Sequence, residues 1–176
     1  LDVLSYARSN GLSAHSAIVD KEFREFFVDK DIKCAVEIGT YLGISAAHMS
    51  LYADEVHTFD IIDYPERTKV WQDLKLTNVY FHLIKPRPGS RNFQDRMPDE
   101  PEAKDIAEVL KTIDYDFAFI DATHHNYVEV KSDFELVKSC GRVFFHDADP
   151  VGFPKVSQLI EEIGAKRIGG LAYWQS

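Results

Sequence analysis

A chain of 176 residues that is 45% apolar and 28% charged has the size and composition of one globular domain with a single core. Its net charge of -9 argues against non-specific binding to nucleic acid or to an anionic membrane, because both need a basic surface. No apolar run approaches the ~20 residues of a bilayer span, and nothing resembles a signal peptide.

Two cysteines, Cys34 and Cys140, read as inert buried thiols in a reducing compartment, which suits the cytoplasm. The first residue is Leu1 rather than Met, so the chain reads as a processed, trimmed or excised piece. Ile18, Val19, Phe23, Phe26 and Phe27 share one helical stripe and predict a helix over residues 13–30, ended by Asp29-Lys30-Asp31.

Residues 33–38 read as a short apolar strand. It breaks into Gly39-Thr40-Tyr41-Leu42-Gly43, and Ile44, Ala47 and Leu51 then mark a helix with Ser45 in its first turn. Residues 56–60 read as a second strand, ending on Asp60. Strand, glycine turn, helix, and a strand ending in a carboxylate form the nucleotide-binding half of a doubly wound sheet. The glycines admit close approach to a ligand, and a carboxylate about twenty residues on is placed to accept from ribose hydroxyls.

Val70, Trp71 and Leu74 suggest a short helix, and Val79 to Ile84 a third strand. Residues 85–104 are Pro-rich and polar and read as a long loop, a candidate lid. Ile106, Val109, Leu110 and Ile113 lead into a fourth strand, Phe117 to Ile120. Tyr127, Val130, Phe134 and Val137 give a helix, Val143 to Phe145 a fifth strand, and Val156 to Ile163 a last helix ended by Gly164. Lys166 to Ile168 and Leu171 to Trp174, hinged on Gly169-Gly170, predict a closing hairpin. The expected fold is α/β: a doubly wound, Rossmann-like sheet of seven strands with helices on both faces, in one domain.

The turn reads Glu-x-Gly-x-x-x-Gly-x-Ser. A pyrophosphate loop wants its second glycine at the position of Tyr41, and Glu37 would repel a pyrophosphate while suiting a cationic or zwitterionic ligand. Glu37, Gly39 and Gly43 resemble the first motif of the S-adenosylmethionine-dependent methyltransferases with a Rossmann-like fold, and Asp60 resembles their ribose-binding acid. The resemblance implies a cofactor-binding set of Glu37, Gly39, Thr40, Tyr41, Gly43, Ser45, Asp60 and Ile61. Ser90 falls where related enzymes contact adenine, and Asp121 joins the set from the fourth strand.

Two strands end in polar clusters, Asp121-Ala122-Thr123-His124-His125-Asn126-Tyr127 and His146-Asp147-Ala148-Asp149. Ile-Asp-x-x-His, His-x-Tyr-x-x-Val-x-x-Asp and a strand ending in His-Asp are together similar to the macrocin and mycinamicin O-methyltransferase and cephalosporin hydroxylase-type family. The similarity runs over about residues 33–174. It departs at Ala122, where that family has Gly, at one extra residue before His125-x-Tyr127, and at His146, where metal-dependent members carry a second acid.

The resemblance implies S-adenosylmethionine (SAM) as cofactor and in-line methyl transfer to a hydroxyl of a small-molecule acceptor, a sugar or secondary metabolite. Asp121 and Asp147 would hold a divalent ion such as Mg²⁺, which would lower the hydroxyl pKa. His124 is the expected base, with His125 as runner-up. Plain turn or cap roles for the two Asp stay open.

A degenerate SAM-binding module of a longer protein is the alternative function, and a nicotinamide oxidoreductase is disfavoured by Tyr41. So small a domain leaves a homodimer plausible as the way to complete a substrate pocket. His48, His57 and His82 lie within helix or strand patterns and read as structural; Asp133 reads as a packing or capping residue.

Overall fold

The computed structural model describes residues 2–14, 16–86, 103–122 and 126–176. A seven-stranded sheet runs in the order β3-β2-β1-β4-β5-β7-β6. Its strands are β1 (Ile32–Ile38), β2 (Ala53–Asp60), β3 (Val79–Leu83), β4 (Phe117–Ile120), β5 (Arg142–Phe145), β6 (Lys166–Ile168) and β7 (Leu171–Gln175). The first five pair in parallel, whereas β7 runs antiparallel to both β5 and β6. The expected doubly wound α/β architecture and its terminal hairpin are present.

The central strands are short and apolar because both faces are covered, the usual condition of parallel strands. On one face α2 (Lys21–Phe26) and α3 (Ile44–Met49) pack over Ala35, Val56, Phe117, Phe119 and Phe144, with α1 (Val3–Ser9) and α4 (Pro65–Asp73) beyond them. Phe26 stacks on Phe144 at 4.2 Å and Phe23 tilts against Phe119 at 5.0 Å, which fixes α2 over β4 and β5. On the other face α5 (Ile106–Leu110), α6 (Tyr127–Val137) and α7 (Pro154–Ile163) cover Val36, Ile38, Phe59, Ala118, Ile120 and Phe145.

Several elements differ from the sequence expectation. The helix over 13–30 is instead a 3-10 turn, Ala17–Val19, and the short α2, separated by Asp20 in extended backbone. The Phe stripe survives, but the break carries Asp20 toward the strand ends. Helix α1 was not expected; Asp2 caps it by accepting from Ser5 N at 3.0 Å. Strand β2 starts three residues earlier than read, and α5 stops at Leu110, before Ile113.

Residues 87–102 of the expected loop lie outside the described residues. Its two ends are joined, since Lys85 N donates to Lys104 O at 2.9 Å and Lys104 N to Leu83 O at 3.0 Å. No described helix is long and apolar enough to cross a membrane.

Candidate cofactor and acceptor site

The strand order reverses between β1 and β4, and the crevice at that switch point is where an open α/β sheet takes its ligands. The turn after β1 shapes it. Gly39 has φ 102°, and a Cβ there would lie 2.4 Å from the backbone oxygen of Asp121, so only glycine lets β1 and β4 close up. Gly39 N donates to Phe59 O at 2.8 Å, which ties the turn to β2.

Asp60, the last residue of β2, then gathers the turn. Its Oδ2 accepts from Thr40 N at 3.0 Å and Tyr41 N at 2.8 Å, and its Oδ1 from Ile62 N at 3.1 Å. Burial pushes the Asp60 carboxyl up, although the surrounding backbone N–H groups pull it the other way. A carboxylate offers about four lone-pair sites, so Oδ1 keeps capacity for a further donor.

Beneath the turn lies a closed polar network. Glu37 is fully buried and accepts from the Ser45 hydroxyl and from Thr58 Oγ1, the latter at 2.5 Å; Thr58 in turn shares a 2.6 Å hydrogen bond with Thr40. Burial, with the charges of Asp121 and Asp60, raises the Glu37 carboxyl to about 8 against the pull of the two hydroxyls. Glu37 therefore supports the turn from below and does not line the cavity. Nor does Gly43, whose α-carbon faces Trp71 of α4.

The cavity encloses about 380 Å³, within the ordinary range for small-ligand sites. Of the residues the sequence named for the cofactor, Gly39, Thr40, Tyr41, Ser45, Asp60, Ile61 and Asp121 line it. Ser90, His124 and His125 lie outside the described residues. At one end Ile61, Ile62, Ile84 and Pro86 make an apolar wall, with Tyr64 meeting Tyr41 edge-on at 5.1 Å. At the other, Asp121, Glu129 and Asp133 contribute acids.

Sequence reasoning missed Glu129 and Asp133 as lining residues. They stand one turn apart on α6, and like charges at that spacing repel by a few tenths of a kcal/mol. That was the available signal.

Beside Asp121 the β5 end completes an ionic cluster. His146 Nδ1 lies 2.8 Å from Asp121 Oδ1 and 3.5 Å from Asp147 Oδ1, while Nε2 lies 3.3 Å from Asp20 Oδ2. Burial alone would push the imidazole down. The charge and hydrogen bond of Asp121, then the bond to Asp20 and the charge of Asp147, outweigh it and hold His146 up at about 10. Asp147 takes φ 53°, a conformation uncommon outside glycine, which turns its carboxylate toward His146.

Asp121, His146 and Asp147 present donor atoms all within 4.8 Å of one another. The two carboxylates suit a divalent ion, but His146 could join them only by losing the Nδ1 proton, and an imidazole ligand would then favour Fe²⁺ or Zn²⁺ over Mg²⁺.

The chain matches no protein-family model and none of the curated proteins. Its structure does resemble solved ones. It aligns over 99% of its length with 89% of an O-methyltransferase from Bacillus cereus in complex with SAH, at TM-score 0.65 and 15% identity. It aligns over its full length with 90% of TomG, an O-methyltransferase of Streptomyces achromogenes involved in tomaymycin synthesis, in complex with SAM, at TM-score 0.63 and 15% identity. The N-methyltransferase NodS of Bradyrhizobium japonicum, in complex with S-adenosyl-L-homocysteine, aligns over 100% of this chain and 99% of its own at TM-score 0.56 and 10% identity. At these identities the shared property is the fold, a Rossmann-like sheet that carries both O- and N-methyltransferases.

Proposed function

We propose that this chain is a SAM-dependent methyltransferase that methylates a hydroxyl of a small molecule, a sugar or secondary metabolite. The observation that carries the reading is Asp60. Half-buried at the end of β2, it holds the turn through Oδ2 and lines the cavity, with acceptor capacity left on Oδ1 for a ribose hydroxyl. The cavity chemistry fits the cofactor: a ribose at Asp60, an adenine against Ile61 and Ile84, and a cationic amino-acid end toward Asp121, Glu129 and Asp133.

SAM supplies an activated methyl on a sulfonium. The chain's own residues then bind, orient and move a proton. Gly39 and the turn bring the ligand against the switch point, and the excess of carboxylates attracts a sulfonium and an ammonium in a low-dielectric crevice. Alignment of the acceptor oxygen with the methyl carbon is the main catalytic demand of an in-line displacement.

As the oxygen–carbon bond forms, the hydroxyl proton passes to an imidazole, which we assign to His124 with His125 as the second choice. His146, held protonated by Asp121 and Asp20, is a poor base and a good positioning residue. A divalent ion would be held by Asp121 and Asp147, with His146 able to join them only after giving up its Nδ1 proton, and would acidify the hydroxyl. A homodimer that completes the acceptor pocket and a cytoplasmic location belong to the same reading; both described cysteines are free thiols.

Calorimetric titration of SAM and S-adenosylhomocysteine, with and without Mg²⁺ or Mn²⁺, tests the proposal. Binding lost in Asp60→Ala supports it. A folded protein that binds neither ligand refutes it. Binding with no methyl transfer to any of a panel of hydroxylated acceptors, and no effect of His124→Ala, would favour a SAM-binding module instead.

A further inference from the structure

A second cluster of donor groups lies at the opposite end of the sheet. Cys34, near the start of β1, is paired with Glu55 across the parallel ladder, and His57 follows two residues on, paired with Val36. Residues i and i+2 of a strand share a face, and adjacent strands run about 4.8 Å apart, so this register aims all three side chains at one point. Ligand atoms of Cys34, Glu55 and His57 accordingly lie within 4.8 Å of one another.

The cluster runs from the interior to the surface: Cys34 is 6% exposed, while the Glu55 side chain is 54% exposed. His57 Nε2 faces Glu55 Oε2 at 3.5 Å. The other ring nitrogen, Nδ1, is hydrogen-bonded to His82 Nε2 of β3 at 2.9 Å, and Tyr80 stacks on the ring at 4.9 Å. His82 is in turn stacked on Phe59 at 4.7 Å, so the imidazole orientation is fixed from behind.

We propose that Cys34, Glu55 and His57 form a binding site for a zinc-class divalent transition ion, with His82 as the positioning residue that orients His57. Thiolate, imidazole and carboxylate are the donor set of four-coordinate Zn²⁺, and the exposed side leaves the fourth position to water. Hard ions such as Mg²⁺ and Ca²⁺ prefer all-oxygen shells and are disfavoured. A second partner on the far nitrogen of a ligating histidine is the usual way such rings are held. Binding expels the thiol proton of Cys34, with no change of oxidation state.

The ion would link β1 to β2 and, through His82, to β3. Five residues at about 3.3 Å each separate Cys34 from Gly39, roughly 16 Å along the strand, so its role is to clamp the far ends of β1 and β2 rather than to touch the acceptor. No local motif announces this site, because the sheet register alone brings residue 34 to residues 55 and 57.

The test is titration of Co²⁺ into the purified chain, kept reduced with a phosphine, and followed by absorption spectroscopy. The expected result is a thiolate-to-cobalt charge-transfer band with four-coordinate visible bands that saturates at one equivalent, both abolished by Zn²⁺. Cys34→Ser removes the charge-transfer band. His82→Phe keeps the band and weakens affinity roughly 10–100-fold, as loss of a supporting partner does. Any cobalt taken up at the Asp121–Asp147 cluster adds no charge-transfer band, since that cluster contains no sulfur.

Glu55→Gln, at an exposed side chain, gives a variant that retains the fold should Cys34→Ser lose it, and it too weakens binding. No charge-transfer band in folded wild-type protein, or a band that survives Cys34→Ser, overturns the proposal. In that case the side chains form only a hydrogen-bond relay from His82 through His57 to Glu55.

Discussion

The two ends of the cavity are held together by different means. At the β1–β2 end, Glu37, Thr40, Ser45, Thr58 and Asp60 answer one another or nearby backbone, all within one short stretch of chain. At the β4–β5 end, Asp121, His146 and Asp147 are balanced against one another and against Asp20, which stands 126 positions from His146 in sequence. The first end is a preformed cradle with no room for an added atom. The second is a charge balance, and its state depends on protons.

The largest effect should come from testing the cradle's lack of room. Gly39→Ala would set a Cβ 2.4 Å from Asp121 O in a backbone with φ 102°. Strain and overpacking together should destabilise the fold by roughly 2–6 kcal/mol. SAM binding, read by calorimetry, should be lost in whatever fraction stays folded. An alanine variant with wild-type melting and binding would show that β1 and β4 can part at no cost, and the distinction between the two ends would fail.

Next comes the charge balance. His146→Gln keeps a hydrogen-bond donor but leaves Asp121 and Asp20 without the cation between them, for an expected loss of about 1.5–3 kcal/mol at neutral pH. The pH dependence separates the two ends further. Glu37 is raised from 4.5 to about 8, so the folded state holds a proton that the unfolded state releases, and stability falls as pH rises between those values. His146 is raised from 6.5 to about 10, so its contribution is complete below 6.5 and disappears as pH rises through 10. Melting temperature should therefore decline from about pH 5 to pH 10. Glu37→Gln should flatten the lower part of that decline and His146→Gln the upper part, and identical profiles for the two variants would dissolve the comparison.

This contrast also explains what was legible in the sequence. The cradle could be read because Gly39, Gly43 and Asp60 sit at fixed offsets in one strand–turn–helix–strand unit. Glu37 was found for its position in the motif, yet its work is to accept from two buried hydroxyls, which spacing alone does not reveal. Asp20 was hidden inside an expected helix, since the Phe23, Phe26 and Phe27 stripe is genuine and nothing local announces the extended break before it. Glu129 and Asp133 reach the cavity only through the seating of α6 on the sheet. The pairing of Cys34 with Glu55, which brings His57 to the same face, likewise belongs to register, which no single segment encodes.

The smallest effect should come from the outer support of the cradle, where Trp71 Nε1 donates to Gly43 O at 3.0 Å. Trp71→Phe removes that bond and should cost about 1 kcal/mol, the ordinary net value of one hydrogen bond. Gly43→Ala is the sharper probe. Its Cβ would lie 2.5 Å from Trp71 Nε1 and 2.9 Å from Arg67 Cγ, in a backbone with φ 70°. In the Trp71→Phe background the indole nitrogen is gone, so part of the clash is relieved while the backbone strain remains. The loss caused by Gly43→Ala should then shrink, and a double-mutant cycle on melting curves reads the difference. If the two losses simply add, the indole is not what forbids a side chain at residue 43, and backbone conformation alone demands the glycine.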